Sequence, residues 1–199
     1  MKSEFEMSMI GELSLFIGLR IIQSSEGLLL SQEKYLKDML KKFQMEDLSS
    51  VSTHMVDSCK LRKDDVSPDV DQRTYQSMIG SLLYITTSRP DIMQAVGMVG
   101  RFQSAPKQSH LVSVKRIFKY LKGTMNYGLW YHRNQNLYLT AYLDADWENC
   151  LDERKSRSGG ALFLGYSLVA WLSKKQVSIY LSTTKAEYIF YSICCTHVL

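Results

Sequence analysis

Tyr75-Gln76-Ser77-Met78-Ile79-Gly80-Ser81-Leu82-Leu83-Tyr84-Ile85-Thr86-Thr87-Ser88-Arg89-Pro90-Asp91-Ile92 is the stretch on which the fold of this 199-residue chain turns. Tyr75, Met78, Ile79, Leu82 and Leu83 recur at i, i+3, i+4, i+7 and i+8, the spacing of one buried stripe on an α-helix. Ser88-Arg89-Pro90 ends that helix, because a proline drives the residue before it out of the helical region. Pro90 and Asp91 suit the first turn of a second helix with Ile92, Val96 and Val99 inside: proline lacks only an amide that would be unbonded there, and aspartate complements the positive dipole end. A third helix, from about His110 to Lys122, buries Leu111, Val114, Ile117, Phe118 and Leu121. It stops at Gly123, a residue suited to a left-handed helix end.

Upstream of this unit, Phe16 to Ile22 reads as a strand that turns at Ser24, Ser25 and Gly27 into a partner at Leu28-Leu29-Leu30. A helix follows with Ser31 as its expected N-cap, an apolar stripe of Tyr35, Leu36, Met39, Leu40 and Phe43, and Lys34, Lys37 and Lys41 on another face. Residues 49–70 lose periodicity and gather Ser, Thr, Asp and Pro68, as an exposed connector does. Downstream of Gly123 the chain turns to strands, Tyr138 to Leu143, Gly160 to Leu164 and Leu168 to Leu172, with a tight Gly165-Tyr166-Ser167 link between the last two. These predict a three-stranded antiparallel meander, followed by a helix from Thr183 capped by Ser182.

Composition narrows the class. With 45% hydrophobic and 22% charged residues the chain can bury a core, and a net charge of +4 permits a polyanionic partner without requiring one. Cys59, Cys150, Cys194 and Cys195 show no C-x-x-C spacing, which argues against a disulfide framework or a zinc module. No run reaches 18 apolar residues, and Glu4 and Glu6 stand where a signal peptide would be basic or apolar. An intracellular setting, cytoplasmic or nuclear, is expected.

Two patterns could carry chemistry. Asp144-Ala145-Asp146 ends a strand, and Glu187 lies on the last helix; carboxylates gathered this way are what Mg²⁺ or Mn²⁺ takes as oxygen ligands. Two such ions can activate water and stabilise a leaving oxygen in phosphodiester cleavage. The same D-x-D beside a turn also describes an ordinary solvated loop. Lys115, Lys119 and Lys122, with Arg116 at their edge, fall on one helix face opposite the apolar stripe, at a spacing able to follow a phosphate backbone. An amphipathic helix with a merely solvated face has the same pattern. Tyr127, Trp130, Tyr131 and Tyr138 suit strand packing better than base stacking, and His132 has no nucleophile in a recognisable arrangement.

Longer motifs carry a resemblance. Gly11-Glu12-Leu13 with Phe16-Ile17-Gly18-Leu19-Arg20-Ile21 resembles a segment that follows the polymerase active site in copia-type retrotransposon reverse transcriptases. The stretch from Tyr75 to Ile92 resembles that family's Y-x-x-x-[IV]-G-S-L-x-Y and R-P-D-I signature, and Lys115-Arg116-Ile117 with Tyr120-Leu121-Lys122-Gly123-Thr124 its K-R-[IV]-x-x-Y-L-K-G-T. Asp144-Ala145-Asp146-Trp147, Trp171-Leu172-Ser173-Lys174-Lys175-Gln176 and Ala186-Glu187-Tyr188 are similar to the start of the RNase H domain of the same Pol polyproteins.

The resemblance implies an α+β chain: residues 1–30 as the end of a reverse transcriptase palm, 31–130 as a helical thumb- or connection-like unit, and 137–199 as the first half of an RNase H-like domain. It implies a primer-grip role for Phe16 and Gly18, nucleic-acid contact by Lys115, Arg116, Lys119 and Lys122, and RNase H carboxylates at Asp144 and Glu187 that share Mg²⁺ or Mn²⁺ in the intact enzyme, with an RNA:DNA hybrid as partner. It also implies incompleteness. The polymerase's Y-V-D-D aspartates would precede Met1, and the later RNase H carboxylates would follow Leu199, so a stably bound ion and activity of this chain alone are not expected. Glu148-Asn149, Arg157 and Lys185 depart from the family pattern. A non-catalytic nucleic-acid-binding module is the alternative.

Overall fold

The computed structural model describes residues 14–56, 61–63, 65–134, 136–146, 157–175 and position 184. In chain order these form β1 (Leu15–Phe16), β2 (Leu19–Gln23), β3 (Gly27–Ser31), α1 (Glu33–Lys42), α2 (Gln72–Ile85), α3 (Met93–Val99), α4 (Gln108–Gly123) and β4 (Gly128–His132). A second sheet follows, of β5 (Leu139–Asp146), β6 (Arg157–Leu164) and β7 (Ser167–Lys175). The fold is α+β, with antiparallel sheets ordered β1-β2-β3-β4 and β5-β6-β7.

The strand expected over Phe16–Ile22 is broken at its second residue. Ile17 (φ 47°) and Gly18 (φ 73°) both adopt left-handed backbone and make a two-residue hairpin turn between Phe16 and its partner Leu19. Gly18 takes this conformation freely, whereas β-branched Ile17 is strained there. The Tyr84 hydroxyl donates to the Ile17 carbonyl and holds the turn, and a Cβ at Gly18 would come within 2.9 Å of that hydroxyl.

Ser31 does not cap α1. It is the last paired residue of β3, opposite Arg20 and Gly128, and the helix starts after Gln32 without a side-chain cap. The Gln32 side chain is instead buried. Its Oε1 accepts from the Ser88 hydroxyl at 2.6 Å and its Nε2 donates to the Tyr84 carbonyl at 3.4 Å, which joins the first helix to the end of the second.

The three helices read from the central stretch are present. Asp71 caps α2 by accepting from the Thr74 amide at 2.8 Å, and α3 is preceded by a 3₁₀ turn at Pro90–Ile92. Leu36, Ile79, Leu82, Val96, Ile117 and Phe118 are among the fully or almost fully buried residues of one core, with the Tyr75 hydroxyl donating to the Val99 carbonyl at 2.8 Å inside it. Burial pushes that hydroxyl's pKa above the ordinary tyrosine value. Gly123 is not left-handed. It is the last helical residue, and Thr124 (φ −129°) ends the helix. Close approach accounts for the glycine: a Cβ there would lie 3.0 Å from the Ser50 Cβ.

Among the described residues the connector has no helix or long strand, yet it is fastened down. Val70 donates its amide to Pro106, Gln108 donates to Pro68, and Met55 and Leu61 pack against the helical core. After α4 the chain returns as β4 to pair with β3, which gives Trp130 and Tyr131 the strand setting expected of them.

Each of the meander's strands runs past an expected end, although the first starts at Leu139 and not at Tyr138, and the last two are joined by a turn at Gly165 (φ 60°) and Tyr166. It is tied to the helical part by Trp171, whose indole donates to the Thr86 carbonyl at 3.1 Å, and by Ser167, whose hydroxyl accepts from the His132 amide at 3.2 Å. The helix expected from Thr183 lies outside the described residues, apart from the helical position 184. Among the described residues no helix is long and apolar enough to cross a membrane.

Candidate functional site

The two central motifs meet in one buried network. Arg89 is 2% exposed and grips Asp91 with both edges of its guanidinium, Nε to Oδ1 at 3.0 Å and Nη2 to Oδ2 at 2.7 Å. Its remaining donors reach across to the end of α4, Nη1 to the Thr124 carbonyl at 2.9 Å and Nη2 to the Thr124 hydroxyl at 2.7 Å. Tyr120 completes the set by donating to Asp91 at 2.8 Å, and the guanidinium lies over the Tyr120 and Tyr127 rings. Burial acts to raise the Asp91 carboxyl, but the hydrogen bonds and charge of Arg89, with the Tyr120 hydroxyl, outweigh it and hold the group below the usual carboxylate range. Burial and the bond to Asp91 push the Tyr120 hydroxyl up. The network is a clamp between helices. The four hydrogen bonds of Arg89 tie the Pro90–Ile92 turn to the end of α4.

The basic face of α4 divides into committed and open cations. Lys122 donates to the carbonyls of Glu46 and Leu48, the latter at 2.8 Å, so it fastens the chain after α1. Arg116 donates from Nη2 to the Thr53 hydroxyl at 2.7 Å, while its buried Nε has no partner. Lys115 and Lys119 are half-buried and have no hydrogen-bond or ion-pair partner among the described residues. Beside them, the connector and α4 enclose a groove of about 410 Å³, walled by Leu48, Val51, His54, Met55, Val56 and Val112.

Asp144 stands exposed on β5, and the strand continues through Asp146, so the extended geometry needed for a D-x-D site persists. Its cross-strand neighbour is Gly159, which adds no side chain beside the carboxylate. Asp144 lines a second cleft of about 410 Å³ between the meander and α3, together with Asp91, Gln94, Ser158, Trp171 and Ser173. Asp91 is already engaged by Arg89, and Glu187 lies outside the described residues. Among the described residues no three His, Cys, Asp or Glu side chains gather as a metal group. One open carboxylate does not supply the oxygen ligands a Mg²⁺ or Mn²⁺ pair takes. The described donors alone leave the ligand set of such a pair incomplete.

Phe16 and Gly18 sit together at the β1–β2 hairpin, Phe16 with half its surface exposed and Gly18 in the turn. Sequence reading missed the clamp of Arg89, Asp91, Tyr120 and Thr124, although each residue falls inside one of the family-like motifs. It also missed His54, Met55 and Val56 as a groove wall, because irregular loops carry no periodic signal.

The reverse transcriptase (RNA-dependent DNA polymerase) family matches residues 1–57. The retrovirus-related Pol polyprotein from transposon RE1 of Arabidopsis thaliana is 38% identical over 177 residues, which is 89% of this chain and 12% of that polyprotein. The Pol polyprotein from transposon TNT 1-94 of Nicotiana tabacum is 36% identical over 198 residues, 95% of this chain and 15% of that one. An uncharacterized mitochondrial protein of A. thaliana is 34% identical over 189 residues, 94% of this chain and 78% of its own length. No solved structure matches the chain. The chain thus spans a small part of the Pol polyproteins but most of the mitochondrial protein, with similarity running nearly end to end in each case. On these matches, this chain belongs to the copia-type retrotransposon Pol polyprotein family.

Proposed function

We propose that the chain is the part of a reverse transcriptase and RNase H polyprotein that handles nucleic acid between the two active sites, and that alone it binds RNA:DNA hybrid without cleaving it. The observation that carries this reading is the pair Lys115 and Lys119. Both are held on a core helix, one turn apart, with no protein partner among the described residues. Cations so placed are available to phosphates, and phosphate contacts fix the register of a protein on a duplex without reading its sequence. In this reading β5–β7 is the start of an RNase H-like sheet, Asp144 is the first of its carboxylates and Glu187 the second. Phe16 and Gly18 belong to a primer-grip hairpin. Mg²⁺ or Mn²⁺ would bind stably only when the remaining carboxylates of a longer polyprotein complete the set.

The test is a titration of labelled RNA:DNA hybrid by fluorescence anisotropy at several salt concentrations, with cleavage followed on gels in Mg²⁺ and in Mn²⁺. Binding without cleavage is expected. The double variant Lys115→Glu, Lys119→Glu should weaken it and flatten the salt slope by about two, close to 0.9 for each phosphate no longer neutralised. Lys122 is left unchanged, because its bonds to Glu46 and Leu48 make it part of the fold. Robust cleavage by the purified chain, or binding indifferent to the double variant, contradicts the reading.

A further inference from the structure

We propose that the groove between α4 and the connector receives a single unpaired nucleotide, base inward and phosphate outward, so that the chain prefers hybrids with a single-stranded extension or bulge. This deepens the nucleic-acid reading above and rests on it.

Three features point to that occupant. The first is size and shape. At about 410 Å³ the concavity lies within the range of small-ligand sites, whereas a duplex backbone would meet α4 only along its rim. The second is the division of chemistry within it. Val51, Met55, Val56 and Val112 make apolar walls, and His54 offers a ring, set edge-on against Tyr120 at a centroid distance of 5.4 Å. Lys115, Arg116 and Lys119 supply the cationic edge. An apolar floor beside a row of cations matches a base joined to its phosphate, since bases stack on apolar and aromatic groups with little regard to sequence. The third is unfinished bonding. Lys115 and Lys119, on the cationic edge, have no partner among the described residues. A phosphate at this edge would serve both lysines, since ammonium groups bind such anions.

Val56 and Val112 are 46% and 58% exposed, although they face each other's side of one concavity. An acidic peptide would satisfy the cations but leave these walls uncovered. A base covers them.

The experiment compares the full chain's affinity for a blunt RNA:DNA hybrid with that for the same hybrid carrying a two-nucleotide unpaired end, at fixed salt. The extended hybrid should bind at least about fivefold tighter, the smallest effect expected of one stacked base. Val112→Trp fills the groove from an exposed helix position, and Val56→Trp does so from the connector; in either variant the ratio should fall close to one. Equal affinities in the unsubstituted protein, or a ratio that survives both variants, overturn the groove while leaving hybrid binding intact. No binding to either hybrid overturns the nucleic-acid reading itself. Displacement of the extended hybrid by polyglutamate as effectively as by an equally charged oligothymidylate assigns the groove to acidic peptide and also overturns the proposal.

Discussion

The helical unit and the β5–β7 meander are built on opposite terms. The helices bury a continuous core in which Tyr75, Ile79, Leu82, Ile85, Ile117 and Phe118 have no measurable exposure. In the meander, among the described residues, only Ser158, Gly165 and Ser167 are buried, none of them a large apolar side chain, while Leu139 and Tyr142 are half exposed or more. A sheet of three strands needs an apolar face packed against something to be stable. The described meander leans on the helical unit through Trp171 and Ser167 instead of owning a core. The part with unspent cations holds its shape through its own core, whereas the described strands of the meander, Asp144 among them, rest on a neighbour. If so, damage to the helical unit should destroy both regions, and damage to the junction between them should release only one.

The largest effect is expected from Arg89→Ala. It leaves Asp91 without its counter-ion and frees the Thr124 carbonyl at the end of α4. Removing one partner of a fully buried pair costs about 3–5 kcal/mol; Asp91 keeps 35% exposure, so about 2–3 kcal/mol is the expected loss in urea unfolding. Arg89→Lys should recover only part of it, since an ammonium cannot span Asp91 and Thr124 together. A loss under about 0.5 kcal/mol for the alanine variant would mean that the clamp does not hold the helices together.

Trp171→Ala should come next and act on one side only. The indole is half-buried and its bond to Thr86 is the meander's hydrogen bond to the end of α2. Losing that bond and part of the ring's packing costs about 1–2 kcal/mol. Hydrogen exchange should accelerate in β5–β7 while α2 and α4 keep their protection. Equal acceleration in both regions would show a single cooperative unit and erase the distinction.

The same division explains what was legible in the sequence. The stripes of α1, α2 and α4 declared themselves because a helix repeats its buried face every three or four residues, and the three meander strands did so through β-rich runs ended by turns. What stayed hidden depended on contacts between distant segments. Ser31 looked like a cap because nothing local says that Gly128, nearly a hundred residues away, pairs with it. Gly18 and Gly123 were equally plain as glycines, yet one needs its conformation and the other its missing Cβ, against Ser50. At the site, Lys115 and Lys122 were indistinguishable on a helical wheel. Only the fold shows that Lys122 is spent on Glu46 and Leu48. The motif residues of the clamp were visible as a resemblance, but their shared geometry was not, because bonds between Arg89 and Thr124 leave no mark on either local pattern.

The smallest effect is a pH step confined to the helical unit. His110 is completely buried, stacked on Phe102 at a centroid distance of 3.8 Å. Its Nδ1 accepts from the Lys107 amide at 3.0 Å, so the proton of the neutral ring sits on Nε2 and is donated to the Arg62 carbonyl at 3.0 Å. Protonating Nδ1 would set an N–H against the Lys107 N–H. Burial lowers the pKa of this imidazole below its ordinary value, helped by the charge of Lys107 and opposed by the Arg62 bond and by Asp65. The unfolded chain therefore takes up the proton first as pH falls. The stability contribution is complete above the unfolded value near 6.5 and declines as pH drops from there towards the lower folded-state value. Urea midpoints read by α4 protection should fall between about pH 7.5 and pH 5.5, the window in which histidine titrates. His110→Gln should lower the midpoint at the upper pH and remove the step. A step that survives the substitution, or that appears in β5–β7 after Trp171→Ala has uncoupled the sheet, would place the titrating group elsewhere.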